Sequence, residues 1–217
     1  MKKRIAVVFG GRSVEHEVSV ITGMQVVENL DKSKYEAVPI FIDKDGRWLT
    51  GDELFKFENF KNDNLKGLKE IVVTSKYNDK KLYSHPESIG FLGKKQVIEI
   101  DAVFVALHGT YGEDGTIQGV FETLNIPYTS GGVLASSVGM DKILMKDVYK
   151  SYGLPIVDYT WFFRNKWYED KEGVLKDIES KLKYPLFVKP ANLGSSVGIS
   201  RATDKESLIK AIEVAIE

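Results

Sequence analysis

A short apolar run near the amino terminus constrains the fold more than any other feature of this sequence. The run Ile5–Phe9 contains no polar residue and ends at Gly10-Gly11. A strand that is apolar on both sides has to be covered on both faces, which is typical of a parallel sheet flanked by helices. The run is too short to cross a membrane or to act as a signal peptide. The sequence therefore predicts an α/β domain that begins on a central strand.

The next segments predict a βαβ opening. A helix is expected after Gly11, with Ser13 as its cap, and 35–42 then returns as a second strand. The lysine- and aspartate-rich stretch 43–95 is predicted to be an excursion from the sheet. In the helix, two carboxylates are expected in the first turn and four apolar residues on the buried stripe: Glu15 and Glu17, then Val18, Ile21, Val26 and Leu30.

The later segments predict a second, smaller domain. A buried strand at 102–107 and a helix at 116–124 complete the first domain, and the boundary is expected near residue 133. The domains are thus predicted as 1–133 and 134–217. The second is expected to contain a helix at 141–152, a strand at 159–163, a helix at 169–183, two strands at 186–189 and 197–201, and a last helix opened by a capping box from Thr203 to Glu206.

Composition excludes several classes of function. Thirty lysines and arginines balance 31 aspartates and glutamates, and the net charge of -1 provides no field that would attract nucleic acid or an anionic membrane. The absence of cysteine excludes disulfides, thiolate metal sites and cysteine nucleophiles. A cytoplasmic protein without nucleic-acid or membrane partners is expected.

The segment from Lys189 to Gly198 is the most informative for chemistry. A predicted strand delivers Lys189 to its end, Pro190 stops its regular continuation, and Gly194-Ser195-Ser196 offers backbone N–H groups and hydroxyls at a turn. Such a combination suits a phosphate chain. The alternative is a β-hairpin with a surface lysine, because the segment lacks the P-loop pattern and no helix follows its glycine. Spacing alone leaves both interpretations open.

Four motifs, however, resemble those of D-alanine–D-alanine ligases, which are ATP-grasp enzymes of peptidoglycan synthesis and so of cell-wall biogenesis and cell shape. The motifs occur in the family's order along the chain: 9–19 (FGGRSVEHEVS), 106–115 (ALHGTYGEDG), 137–142 (SVGMDK) and 189–198 (KPANLGSSVG). The resemblance implies a Rossmann-like, pre-ATP-grasp domain followed by an α+β ATP-grasp central subdomain. The carboxy-terminal ATP-grasp subdomain is expected to lie beyond residue 217 and to be missing here.

The resemblance also implies the reaction. One D-alanine carboxylate attacks the γ-phosphate of ATP, and the amine of a second D-alanine then attacks the acyl phosphate. Mg²⁺ is implied as cofactor, with its ligands beyond residue 217 and no metal ligand in this chain. A homodimer is also implied. We expect the 217 residues to be inactive alone, because the metal ligands and the oxyanion arginine belong to the missing part.

The resemblance assigns roles to particular residues. Glu15, His108 and Ser195 are expected to be catalytic. Glu15 and His108 are also expected to bind the first D-alanine, whose methyl group Val18 contacts. ATP is expected to be bound by two lysines and the glycine-serine loop: Lys142, Lys189, Ser195, Ser196 and Val197. Ser195 is expected to tie that loop to Glu15 rather than to act as a nucleophile. Glu113 and Asp114 are interpreted as turn residues.

Each role has a structural alternative. Glu15 could serve only the helix dipole, His108 could be a satisfied loop histidine, and Lys142 and Lys189 could be solvated surface lysines. Three other functions compete as well. They are a related carboxylate–amine ligase that uses D-lactate or D-serine, a non-catalytic binding fragment, and a dinucleotide-binding oxidoreductase. The last would require Gly-x-Gly-x-x-Gly after the first strand, where the chain has GGRSVE.

Overall fold

The computed structural model describes residues 1–62, 64–85 and 97–217, which divide into two compact units, Met1–Ser137 and Val138–Glu217. The first unit contains strands β1 (Lys3–Gly10), β2 (Tyr35–Ile42), β3 (Trp48–Thr50), β4 (Lys69–Val73), β5 (Lys81–His85), β6 (Val97–Glu99) and β7 (Ala102–Val105), with helices α1 (His16–Asn29), α2 (Phe57–Lys61) and α3 (Thr116–Leu124). Helix α4 (Val133–Met140) runs across the division between the units, and no helix had been predicted there.

One mixed sheet organises the first unit. Its strands lie in the order β6-β5-β4-β3-β2-β1-β7. Strands β2, β1 and β7 are parallel, and each strand from β3 to β6 pairs antiparallel with its neighbours. The prediction of an excursion at 43–95 was therefore wrong for its described part, which extends the same sheet sideways. Residue 63 and residues 86–95 of that stretch lie outside the described residues.

Both faces of β1 are buried, as its apolar run predicts. Val7 and Phe9 pack with α1 on one face, whereas Ala6 and Val8 pack with α3 on the other. This alternation follows from the two-residue period of a strand. Because both faces are covered, the strand contains no polar position between Ile5 and Phe9.

Helix α1 differs from its prediction in where it begins and in which side it buries. It begins at His16, with Glu15 at the cap position, so Ser13 is not the cap. The Ser13 hydroxyl instead accepts a hydrogen bond from the Glu15 N–H at 3.1 Å, within the turn before the helix. The predicted apolar stripe was also wrong at Val18 and Ile21, which are exposed, whereas Val26 packs against the core. The buried side carries three apolar residues and three small or polar ones: Val20, Met24 and Val27, then His16, Ser19 and Gly23.

Ser19 forms hydrogen bonds that link α1 to the ends of β1 and β7. Its hydroxyl donates to the Ala106 carbonyl oxygen and accepts from the Gly10 N–H, both at 2.8 Å, and the residue is fully buried. We expect Ser19→Ala to lower the free energy of unfolding by about 1–3 kcal/mol, since it leaves two buried backbone groups without their partner. Urea denaturation of the 217-residue chain would measure this loss. A change indistinguishable from that of exposed Ser33→Ala would contradict it.

The second unit is an α+β arrangement with a core of its own. It contains helices α5 (Lys142–Ser151), α6 (Arg164–Glu169), α7 (Lys171–Lys181) and α8 (Lys205–Ile216), with strands β8 (Leu186–Val188) and β9 (Ser200–Ala202). The two strands pair antiparallel, and the core between them and the helices includes Trp167, Leu175 and Leu208.

Two local predictions for this unit were wrong. Residues 159–163 form no strand, although they are aromatic and β-branched. Trp161 and Phe163 are exposed and stack edge to face on each other instead. The capping box of α8 lies one residue later than predicted, because Asp204 caps the helix and Ser207 completes the box. Among the described residues of both units, no helix is long and apolar enough to span a bilayer.

Candidate functional site

The first candidate site lies where two neighbouring parallel strands end. Strands β1 and β7 pair directly, and the loops that follow them carry Glu15 and His108-Gly109. The carboxyl ends of parallel strands are where open α/β sheets bind ligands. The two loops are in close contact, because a methyl group at Gly109 would overlap Glu15 Oε2 and would lie 2.5 Å from Ser13 Oγ. The fold therefore brings Glu15 and the His108-Gly109 loop together, as a site at this edge requires.

Glu15 places a carboxylate inside the protein at the start of α1. Its side chain is 4% exposed and makes no capping hydrogen bond to the helix. A buried carboxylate attracts a cation strongly, because little solvent screens its charge, and an ammonium group can form a charge-assisted hydrogen bond with it. By contrast, Glu17 in the first turn is exposed and pairs with Lys44 at 2.6 Å. Glu17 is thus the residue that fits a purely dipolar role, whereas the position of Glu15 suits a bound ammonium group.

His108 contacts helix α1 at Thr22. Its imidazole is half-buried, and Nε2 lies 2.9 Å from Thr22 Oγ1. Val18 and Thr22 lie four residues apart and share one face of α1, and Glu15 is the cap residue three positions before Val18. Val18, on this face, is 48% exposed and is therefore not a core residue. An exposed apolar side chain between the carboxylate and the histidine is compatible with contact to a small methyl group.

The acidic turn after His108 is held by hydrogen bonds within the loop. Glu113 accepts from the Gly109 N–H at 2.7 Å, and Asp114 accepts from the N–H groups of Tyr111 and Thr116 at 2.8 and 3.0 Å. Burial tends to raise the pKa of Asp114, but these hydrogen bonds outweigh it and the pKa is lowered. Both carboxylates therefore act as turn residues.

The second candidate site is a group of lysines in the second unit. The Lys142 ammonium donates to the Leu193 carbonyl oxygen at 2.5 Å, while Asp141 caps α5 by accepting from two backbone N–H groups. Burial lowers the pKa of Lys142 most, and the nearby charge of Lys189 lowers it further. The pKa of Lys146, one turn along α5, is lowered by the same two causes. Three ammonium groups thus share one region, which an anion would stabilise.

The glycine-serine loop adjoins these lysines. Ser195 and Ser196 are exposed and adopt φ angles of 46° and 62°, in the left-handed region that residues other than glycine seldom occupy. The loop is closed by hydrogen bonds from the Val197 N–H to the Gly194 carbonyl oxygen and from the Ile199 N–H to the Ser196 carbonyl oxygen. Successive residues of this kind form concave backbone surfaces that bind anions.

The fold therefore gathers the predicted residues into two groups, one in each unit. Glu15, Val18 and His108 belong to the first, and the second contains Lys142, Lys189 and residues 195–197. The predicted hydrogen bond from Ser195 to Glu15 would be formed between residues of different units. It stays a prediction. Sequence reasoning missed Thr22 and Lys146. Each lies at helical spacing from a predicted site residue, seven after Glu15 and four after Lys142, and that spacing could have revealed them.

Comparison with known protein families gives two matches. A model described as the D-ala D-ala ligase N-terminus matches residues 4–131, and one described as the D-ala D-ala ligase C-terminus matches residues 148–217. Among curated proteins, the D-alanine--D-alanine ligase of Macrococcus caseolyticus is 42% identical over 217 residues, which is all of this chain and 57% of the relative. That of Ruminiclostridium cellulolyticum is 44% identical over 99% of this chain and 58% of the relative.

Solved structures agree with these matches. The VanG D-Ala:D-Ser ligase from Enterococcus faecalis superposes with a TM-score of 0.80 at 34% identity, over 99% of this chain and 60% of that one. The D-alanine-D-alanine ligase from Coxiella burnetii also gives 0.80, at 33% identity, over 99% of this chain and 58% of that one. The chain thus spans somewhat more than half the length of the proteins it matches.

Proposed function

This chain belongs to the D-alanine–D-alanine ligase family, and from that premise we propose that it supplies the first-substrate site and the triphosphate site for the ATP-dependent joining of two D-alanines. The observation that carries the proposal is the pairing of a buried Glu15 carboxylate with the His108-Gly109 loop at the ends of β1 and β7. A carboxylate at this position has the charge that the ammonium group of an amino acid requires.

The chemistry assigns the chain's residues to binding and orientation. Glu15 holds the ammonium of the first D-alanine, so that the substrate's carboxylate points towards ATP. A carboxylate oxygen then bonds to the γ-phosphorus while the bond from phosphorus to the ADP oxygen breaks. The amine of the second D-alanine attacks the resulting acyl phosphate, a C–N bond forms, phosphate leaves and the amine loses a proton. Holding the reacting groups in line removes an entropic cost from the first step.

Lys142, Lys189 and residues 195–197 are proposed to bind the phosphates of ATP. We add Lys146 to this group, because it shares the region and is partly buried. Mg²⁺ is proposed to accompany ATP and to neutralise phosphate charge. Within residues 1–62, 64–85 and 97–217, no three acidic or histidine side chains are arranged to hold a metal ion, so we assign it no ligand here.

We expect Lys189→Ala to raise the KM for ATP roughly ten- to a hundredfold, since it removes a charge-assisted contact to phosphate. The KM for D-alanine should stay unchanged. The test protein is the joined enzyme, which consists of these 217 residues followed by the carboxy-terminal segment of the Macrococcus caseolyticus relative. The matched control is Lys183→Ala, at an exposed lysine of the same unit. If the two variants have the same KM for ATP, Lys189 does not contribute to ATP binding.

The proposed function is tested by incubating the joined enzyme with ATP and D-alanine and detecting both ADP and dipeptide. We expect one ADP for each D-alanyl-D-alanine. Because one structural relative is a D-Ala:D-Ser ligase, parallel reactions contain D-serine or D-lactate with D-alanine. D-alanine is proposed as the second substrate, since the curated relatives are named for it. Failure to form D-alanyl-D-alanine would contradict the proposal.

We further propose that the protein is a cytoplasmic homodimer. The family resemblance supports this assembly, and the absence of cysteine leaves no argument for an oxidising compartment. Light scattering of the 217-residue chain at several concentrations measures the assembly. A mass near 24.4 kDa at every concentration would contradict a dimer formed by this part of the protein.

A further inference from the structure

We propose that Thr22 is a positioning residue that holds the His108 imidazole and selects its ring tautomer. The inference rests on the proposed function, in which His108 lies beside the first substrate. Thr22 would not touch the substrate itself. It would act through the 2.9 Å hydrogen bond between its hydroxyl and His108 Nε2.

The hydroxyl of Thr22 departs from the usual behaviour of threonine inside a helix. Such a hydroxyl commonly bonds back to the carbonyl four residues earlier. Thr123 in α3 does this, and its Oγ1 donates to the Gly119 carbonyl oxygen at 2.7 Å. The Thr22 hydroxyl instead points away from its helix and contacts His108 in the loop after β7. Helix α1 therefore provides a side-chain contact to the candidate site that a surface threonine would not make.

The His108 imidazole is held at one end only. Within the described parts of the chain, the Thr22 hydroxyl is its one hydrogen-bond partner, and the ring is half-buried. A histidine ring can turn and can carry its proton on either nitrogen, and the partner of one nitrogen determines the state of the other. Thr22 is thus the group that can fix both the orientation of the ring and the nitrogen that carries its proton.

The direction of this hydrogen bond determines the tautomer. Among the described residues, His108 Nε2 is the acceptor that lies within reach of the Thr22 proton. If the hydroxyl donates to Nε2, the ring proton lies on Nδ1. Nδ1 then presents an N–H donor, which is the group that a substrate carboxylate needs. The geometry therefore favours the Nδ1–H tautomer of His108.

Nitrogen NMR of the 217-residue chain tests this directly, because the two tautomers give distinct ring ¹⁵N and ¹H patterns. The chain has only three histidines, so His108→Gln assigns the signals. The spectra are recorded at alkaline pH, because only a neutral imidazole, with one ring proton, has a tautomer to observe. We expect wild-type His108 to be mainly Nδ1–H, Thr22→Val to shift it towards Nε2–H, and Thr22→Ser to retain the wild-type pattern.

Two controls keep the test independent of folding. Thr123→Val makes the same substitution in α3, and Ser19→Ala loosens α1 without removing the Thr22 hydroxyl, so neither should change the His108 tautomer. If Thr22→Val does not fold, the wild-type spectrum still decides. A wild-type ring that is mainly Nε2–H, or a ring unaffected by Thr22→Val, would overturn the proposal.

Kinetics of the joined enzyme test the consequence for function. Losing one positioning hydrogen bond should lower kcat/KM for D-alanine about tenfold in Thr22→Val, with the KM for ATP unchanged. Thr22→Ser should restore most of the loss. An equal loss in the serine variant would contradict positioning through the hydroxyl. If wild type forms no dipeptide, the proposed function fails while the NMR result still tests the role of Thr22.

Discussion

Gly109→Ala is expected to lower the free energy of unfolding by about 2–4 kcal/mol, from backbone strain together with overpacking. Gly109 has a φ of 67°, in the left-handed region where a side chain is strained. A methyl group at this position would also overlap the Glu15 carboxylate and the Ser13 hydroxyl. Both costs arise in the loop that forms the candidate site, so the substitution should displace Glu15 as well as destabilise the fold.

Urea denaturation of the 217-residue chain measures this effect, and Gly119→Ala is the matched control. Gly119 lies in α3 and has open space where a methyl group would be added. Alanine there should stabilise the protein by roughly 0.5–1 kcal/mol, because it favours the helix. If Gly109→Ala proves as stable as Gly119→Ala, the close contact between the two loops is not present.

The strands and helices that bury strongly apolar runs could be predicted from sequence. The bounds of β2 and α3 agree with their predictions, because burial on two faces or at helical spacing leaves a clear pattern. Strands β3 to β6 have no such pattern. They are short, and β4 alternates buried Ile71 with exposed Val72. Their place in the sheet depends on pairing between strands, which periodicity does not reveal.

The buried side of α1 shows a second limit of prediction from the sequence. Hydrophobic periodicity selected Val18 and Ile21, but the helix buries Ser19 and Gly23 against the strands. Small and polar residues were preferred there because the helix packs closely and Ser19 bonds to two strand ends. Val18 and Ile21 were left on the exposed side, where Val18 lies beside the candidate site. Tertiary packing thus shifted the buried side of α1 away from two positions that amphipathicity predicts to be buried.

The residues of the site were suggested by motif resemblance, whereas their arrangement needed the fold. Composition could not distinguish Glu15 from Glu17, yet the structure buries the first and exposes the second. Thr22 could have been found only by its helical spacing from Glu15, because an isolated threonine in a helix carries no chemical signal of its own. Lys146 escaped notice for the same reason, since most lysines are solvated.

Glu15→Gln separates the functional role of this residue from a structural one. The change preserves size and hydrogen-bonding capacity but removes the charge. If Glu15 holds the first substrate's ammonium, affinity for the first D-alanine should fall by about 1.5–3 kcal/mol, or roughly ten- to a hundredfold. If it only complements the helix dipole, stability should fall by about 0.3–1 kcal/mol and catalysis should be unaffected.

Glu17→Gln provides the matched control. Glu17 lies in the first turn of the same helix, two residues further on, and its hydrogen bond with Lys44 lowers its pKa. The same substitution there removes a charge close to the helix N-terminus without touching the site. We expect a small change in melting temperature and no change in the kinetic constants for D-alanine.

The decisive measurement is steady-state kinetics of the joined enzyme as wild type, Glu15→Gln and Glu17→Gln, with D-alanine varied at saturating ATP. We predict that only Glu15→Gln weakens the dependence on the first D-alanine, roughly ten- to a hundredfold, while all three proteins keep the same KM for ATP. A normal D-alanine dependence in Glu15→Gln, together with a lowered melting temperature, would show that the carboxylate stabilises the helix and does not bind the substrate.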